Sequence, residues 1–271
     1  MNIDFIYGTA WKENQTAPLV RKAISAGFRA IDTANQRRHY HEAGVGKAVG
    51  VAIDAGQLAR NELFLQTKFT PASGQDQRLP YALDAPVGVQ VMQSFASSLD
   101  NLGVDYVDAY LLHGPASRDA LVAADWEAWK SIEQLARSGK TCAIGVSNFT
   151  LGQLVELYNG ARRKPMIVQN RCFANRGWDR EVRAFCRAHR IMYQGFSLLT
   201  ANVAVATDLV IERPAARTGK TPAQVIFRFA KQSSIVPLTG TTSSAHMQSD
   251  LDIEDFSLTR AEMKAIDGAF G

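Results

Sequence analysis

Short apolar runs alternate with longer segments of helical period along the whole chain. Phe5, Ile6 and Tyr7 form the first run, and residues 17–26 follow with Leu19, Val20, Ala23 and Ile24 on one helical face. The same alternation predicts strands at 28–32, 63–68, 106–113, 142–146, 166–168, 191–193 and 235–237. Helices are predicted between them at 45–55, 87–102, 126–136, 151–158, 181–188 and 222–231, with two more near 245–251 and at 260–269. The strands are continuously apolar rather than alternating. That pattern suits burial on both faces, as in a parallel sheet covered by helices.

Three helix starts carry capping boxes: Thr150 with Gln153, Thr221 with Gln224, and Thr259 with Glu262. Pro222 stands where a first helical residue would. Eight strand–helix alternations predict an α/β fold, a single (β/α)8 TIM barrel over residues 1–271, rather than an open doubly wound sheet. Segment 70–86 is long and turn-rich for a strand-to-helix connection. It is expected to form a lid or pocket wall over the C-terminal face of the barrel.

Composition removes several classes. Hydrophobic residues make up 46% and charged residues 21%, which excludes a disordered or collagen-like chain. No uncharged apolar run approaches the roughly 18 residues of a membrane helix. The first residues, Asp4 among them, lack the pattern of a signal peptide. Cys142, Cys172 and Cys186 have no CxxC spacing, so a reducing, cytoplasmic setting is expected rather than a disulfide framework. The 30 basic and 26 acidic residues leave a net charge of +4. Short basic pairs such as Arg37-Arg38 make no nucleic-acid surface, so neither nucleic acid nor a membrane is an expected partner. A monomer or a weak homo-oligomer is expected at this size.

In such a barrel, reacting groups stand just past the strand C-termini. The early strand ends supply Asp32, then Tyr40 after a loop, Lys68 and His113. A tyrosine with a pKa near 10 is a poor proton donor at neutral pH. A neighbouring ammonium lowers it, and an aspartate keeps that lysine protonated and oriented. A neutral histidine donates a hydrogen bond to a carbonyl oxygen. Together these groups would protonate an oxygen as hydride reaches its carbon.

At these residues the sequence resembles the aldo-keto reductase superfamily. Gly8-Thr9-Ala10-Trp11 is similar to that family's GT(x)W, and Ala26-Gly27-Phe28-Arg29-Ala30-Ile31-Asp32-Thr33-Ala34 to its AGYRxIDTA. Thr67-Lys68, residues 99–108 and Leu111-Leu112-His113-Gly114-Pro115 resemble TK, SLxxLGxDYxD and LxHxP, and residues 145–149 match GVSNF. The resemblance runs from Gly8 to about Leu251. It implies NAD(P)H-dependent reduction of an aldehyde or ketone in a small carbonyl substrate, with NADPH the expected cofactor and NADH the alternative. It implies Tyr40 as proton donor, Asp32 and Lys68 as its tuners, and His113 as carbonyl orienter and pocket residue with Trp11. Thr9 and Asp32 are expected beside the cofactor, and Ser147, Asn148 and Asn170 at its carboxamide. Phe196 is expected to stack on the ring, and Ser197 and Leu199 to line the pyrophosphate. Thr239, Gly240, Thr241 and His246 belong to a loop expected near the adenosine phosphate.

The chain departs from the family pattern in places. Asp32 and Tyr40 lie eight positions apart, a wider gap than usual, so residues 35–39 must bulge. Val168-Gln169-Asn170-Arg171 changes the usual VNQxE order. The basic residues that often grip a 2′-phosphate are missing near 239–245, and the long C-terminal pocket loop looks absent. Other readings are weaker. His39 and His41 have poor zinc spacing, so no metal is expected. Gly44-Val45-Gly46-Lys47-Ala48-Val49-Gly50 mimics a dinucleotide fingerprint but lacks a preceding strand, and reads as a helix start. Trp178 is expected either at a pocket wall or in packing, and Cys172 and Cys186 as small buried residues. The alternative function is a nicotinamide-binding regulatory or redox-sensing barrel with negligible turnover.

Overall fold

The computed structural model describes residues 3–269. Its strands are β1 (Ile6–Gly8), β2 (Ala30–Asp32), β3 (Phe64–Phe69), β4 (Val107–Leu112), β5 (Thr141–Ser147), β6 (Ile167–Arg171), β7 (Met192–Phe196) and β8 (Ile235–Thr239). Each pairs in parallel with the next and β8 returns to β1, closing the expected (β/α)8 barrel. The helices are α1 (Thr16–Ala26), α2 (Glu42–Asp54), α3 (Val87–Leu102), α4 (Ala123–Arg137), α5 (Leu151–Gly160), α6 (Arg180–Ala188), α7 (Val203–Ala206), α8 (Leu209–Thr218), α9 (Pro222–Gln232), α10 (Ser244–Leu251) and α11 (Arg260–Gly268). The short α7 and α8 were not expected, because Pro214 inside α8 breaks the helical pattern. Asp208 nevertheless caps α8, its side chain accepting from the Val210 amide, and Gly219 ends it with φ 68°.

All three expected capping boxes form. Gln153, Gln224 and Glu262 each donate a backbone N–H to the threonine that starts their helix. Such caps contribute roughly 1 kcal/mol each. The glycine-rich stretch 44–50 lies within α2, where a Cβ on Gly46 would meet the Asn101 carbonyl at 2.3 Å. That glycine lets α2 pack closely on α3.

Successive strand side chains alternate between the lumen and the helices. The outer set includes Tyr7, Ile31, Leu65, Tyr110 and Val168, which join the large cluster under the helices. The inner set begins with an apolar floor of Ile3, Ile6, Ala30, Phe64, Ala109, Leu111 and Ile167. Above this floor the lumen turns polar, with Asp32, Gln66, Lys68, Gln169 and Gln194 all buried. Trp178 lies in the outer packing. It is fully buried, its indole N–H donates to the Ile266 carbonyl at 3.1 Å, and its ring stands 5.0 Å from Phe229. Burying side chains of this size is worth roughly 1.5–3 kcal/mol each. Cys172 and Cys186 are buried as expected. Among the described residues, no helix is long and apolar enough to cross a membrane.

Candidate active site

The lumenal phase of β3 carries Lys68 to the top of the polar layers. Its ammonium donates to Asp32 Oδ1 at 2.6 Å, Asp32 Oδ2 at 2.7 Å and the Thr33 carbonyl at 2.9 Å. All three N–H bonds are used, so a fully buried cation is balanced by a carboxylate and a carbonyl. Burial pulls the Lys68 pKa down, and Asp32 opposes that pull.

The wide gap between Asp32 and Tyr40 is absorbed by a turn. Asn35 is tied to β3 and α3, its amide N donating to the Lys68 carbonyl at 3.2 Å and its side chain to the Ser94 carbonyl at 3.0 Å. The amides of His39 and Tyr40 both donate to the Gln36 carbonyl. Glu42 then opens α2 with a buried carboxylate that accepts from Thr67 at 2.6 Å, Ser98 at 3.2 Å and Asn101 at 3.3 Å. These bonds fix the chain on both sides of Tyr40. Its ring lies 5.4 Å from Lys68 Nζ and 5.8 Å, edge-on, from the His113 ring. Asp32, Tyr40, Lys68 and His113 are thus brought together at the ends of β2, β3 and β4.

The electrostatics differ from the sequence expectation at one point. Lys68 was expected to lower the Tyr40 pKa. Instead burial raises it, and the Asp32 carboxylate adds to the rise. The charge of Lys68 is neutralised by Asp32, so the phenol keeps its proton. His113 is held well below its ordinary value by burial and by the neighbouring Lys68 and His39, which leaves it neutral. Its Nδ1 lies 2.7 Å from Thr70 Oγ1, a hydroxyl with no other partner among the described residues. With that hydroxyl donating to Nδ1, the ring proton would sit on Nε2.

The rim around them is set by the long loop. Gln75 donates to the Asn35 carbonyl at 2.7 Å, Gln36 to the Gly74 carbonyl at 2.6 Å, and Tyr81 to the Thr70 carbonyl at 2.8 Å. Segment 70–86 is therefore stitched to the 35–39 turn. Trp11 is 72% exposed at φ 61°, and its ring stacks 3.8 Å from that of His39.

The opposite half of the rim follows the expectation less closely. Ser147 Oγ donates to the Gln169 carbonyl at 2.7 Å, and Asn148, at φ 59°, donates to Ser147 Oγ and the His113 carbonyl. Asn170 does not face the lumen. Its side chain accepts from the Phe149 amide and donates to the Phe149 carbonyl and Asp179 Oδ2. The strand phase puts Gln169 inward in its place. Thr239 likewise turns outward and donates to Asp250 Oδ2 at 2.8 Å, a carboxyl pushed up to about 6 by burial. Thr9 is fully buried and its hydroxyl braces the Asp32 carbonyl at 2.9 Å, so it supports the site from behind.

Phe196 and Leu199 are half-buried at the mouth, and Ser197 lies between Phe196 and the buried Leu198 at φ 57°. Gly240 and His246 are exposed, and Thr241 accepts from the Ser243 amide at the start of α10. Three contributors were not expected from sequence. Lys12 is buried, donates to the Gly240 carbonyl at 2.6 Å, and has no carboxylate partner among the described residues. Burial brings its pKa to about 8. Its signal was its place directly after Gly8-Thr9-Ala10-Trp11. Gln66 and Gln194 are the other two, and nothing in a lone glutamine marks it as lumenal.

The sequence profile of the aldo/keto reductase family matches residues 6–270. The chain belongs to the aldo/keto reductase family. It is similar to the 9,11-endoperoxide prostaglandin H2 reductase of Trypanosoma cruzi, with 33% identity covering 93% of this chain and 82% of that one. It is equally similar to the glyoxal reductase of Bacillus subtilis, at 33% over 94% of this chain and 83% of that protein. Among solved structures, an aldo/keto reductase of Brucella melitensis superposes with a TM-score of 0.81 at 29% identity, covering 97% of this chain and 93% of that one. A Bombyx mori aldo-keto reductase in complex with NADP superposes at 0.82, with 25% identity over 97% and 88% of the two chains. As an aldo/keto reductase the chain is an oxidoreductase.

Proposed function

We propose that this reductase converts small aldehydes or ketones to alcohols with NADPH, and that Tyr40 supplies the proton. The observation that carries the reading is the convergence of a protonated phenol, a neutral imidazole and a charge-balanced Lys68–Asp32 pair on one rim. His113 Nε2–H donates to the carbonyl oxygen and holds it toward Tyr40. The Tyr40 hydroxyl passes its proton to that oxygen as negative charge builds there, and regains one from solvent. Its raised pKa is no obstacle, because an alkoxide is more basic than a phenolate. Lys68 and Asp32 keep the floor of the site fixed and electrically neutral.

The residues present suit a nicotinamide cofactor. Lys12 is a buried ammonium held by the Gly240 carbonyl and the face of the Tyr7 ring with no carboxylate partner among the described residues, which leaves it free to pair with an anion. Asn148 and Ser197 hold positive φ at the ends of β5 and β7, the kind of backbone strain that gathers at binding sites. Ser147 and Asn148 would hold the carboxamide, Phe196 the ring, and Ser197, Leu199 and Lys12 the phosphates. Gly240, Thr241 and His246 would take the adenosine end. When bound, the reduced cofactor supplies the hydride that reaches the carbonyl carbon. NADPH is preferred over NADH here because the Bombyx mori relative is described in complex with NADP. The start of α10, rich in hydroxyls, also offers donors to a 2′-phosphate.

The regulatory reading is not favoured. The displaced loop was what kept it open, and the turn returns Tyr40 to Lys68 and His113. Three free cysteines are consistent with a reducing cytoplasm. The test is NADPH consumption by the purified protein with glyoxal, benzaldehyde and a small ketone, set beside NADPH and NADH binding. Turnover with tighter NADPH binding is expected. Tight binding without turnover of any carbonyl would overturn the proposal.

A further inference from the structure

Lumenal positions of (β/α)8 barrels are dominated by branched apolar side chains. Here three buried glutamines stand directly beneath the site. Gln66 Nε2 donates to Asp32 Oδ1 at 2.7 Å and to Gln194 Oε1 at 2.9 Å. Gln169 Nε2 donates to the same two oxygens, at 3.0 and 2.9 Å. Gln194 Nε2 closes the circuit by donating to Gln66 Oε1 at 3.0 Å. Asp32 pairs in register with Gln66 and Gln169 with Gln194, so the circuit spans the lumen from β2 and β3 to β6 and β7.

We propose that Gln66 and Gln194 are positioning residues, which with Gln169 form a one-directional amide circuit that locks the Asp32 carboxylate against Lys68. This rests on the reductase reading given above.

The direction follows from donor and acceptor counts. A carboxylate only accepts, so Gln66 and Gln169 must turn their NH2 groups to Asp32. Their remaining bonds then fix Gln194. Inverting any one amide would set oxygen against oxygen. The circuit is satisfied only while Asp32 is an acceptor, with Lys68, Gln66 and Gln169 all donating to Oδ1. Three primary amides in a barrel interior are an expensive way to fill space, since apolar side chains pack there without desolvation. Their work is to stop the carboxylate from swinging off Lys68. The titratable groups that bear on this pair are Tyr40 from the segment before α2, which faces Asp32, and His113 from β4 and Glu42 from α2, which act through Lys68.

The experiment uses the full chain with saturating NADPH and an aldehyde, and compares wild type with Gln66→Met and Gln194→Met. Rate is followed from about pH 8 to about pH 5, alongside NADPH affinity and thermal unfolding over the same range. Gln66→Met is expected to move the acid limb of kcat upward by about one pH unit, a tenfold change in proton occupancy. NADPH affinity should stay as in wild type. Gln194→Met should move the limb the same way but less, because Gln194 reaches Asp32 only through its neighbours. Wild-type acid limbs in both variants, or a loss confined to NADPH binding, would overturn the inference. If Gln66→Met does not fold, Gln194→Met decides. If wild type turns over no carbonyl, the reductase reading fails separately. The circuit is then judged from unfolding, where a shallower acid loss in the variant supports it and parallel or steeper curves refute it.

Discussion

The two halves of the barrel rim treat irregular sequence in opposite ways. On the β2–β4 half, Tyr40 stands farther from Asp32 than the family pattern requires, yet the 35–39 turn brings it back to Lys68 and His113. On the β6–β8 half the irregularity is a changed order along β6 itself, and Asn170 faces outward while Gln169 faces in. A loop absorbs extra residues because its backbone is free to turn on itself. A strand cannot, since a one-residue offset moves a side chain to the other face of the sheet.

That contrast can be broken or sharpened by mutation. Apart from Tyr40 itself, the largest effect is expected at Lys68. Lys68→Met leaves the buried Asp32 carboxylate unpaired, and denaturant melts should show a loss of about 3–5 kcal/mol. Activity should disappear with it. Near-normal stability would mean that the pair is not the anchor of the β2–β4 half.

On the other half, Lys12→Met should weaken NADPH binding roughly tenfold, as for loss of a charge-assisted phosphate contact, and leave kcat at saturation unchanged. Because burial places the wild-type amine at about 8, its affinity for NADPH should fall as the medium passes from neutral to mildly alkaline. The variant should show no such slope in a fluorescence titration.

His113 offers a smaller, signed effect. It is held neutral in the fold, so the unfolded chain takes up the extra proton first below its ordinary value of about 6.5. Stability is therefore expected to decline as pH falls through that value, and His113→Gln should flatten the melting curve against pH. The smallest functional effects belong to the outward-facing pair. Asn170→Ala should destabilise by about 1–3 kcal/mol through its orphaned partners while changing NADPH affinity less than about twofold, and Thr239→Val should do less still. A large loss of NADPH affinity in either variant would restore them to the cofactor side.

Much of this was legible in the sequence because it depends on period and on short local motifs. Capping boxes announced α5, α9 and α11, and the continuous apolar runs announced buried parallel strands. Asp32, Lys68 and His113 were readable because strand ends are where such a barrel exposes chemistry. The rest depends on facts that no single residue carries. Which of Gln169 and Asn170 faces the lumen is set by the phase of β6, fixed through its pairing with β5 and β7. Buried glutamines look like surface residues until their partners from distant strands are known. The direction of the Tyr40 shift required knowing that the phenol is desolvated beside the Asp32 carboxylate.

The most direct test of the central claim is the turnover of Tyr40→Phe, which removes one hydroxyl and leaves the ring between Lys68 and His113. The account predicts that NADPH binding is retained while kcat for aldehyde reduction falls by roughly 10²–10⁴, the range for loss of a general acid. Turnover at the wild-type rate would show that the proton comes from elsewhere.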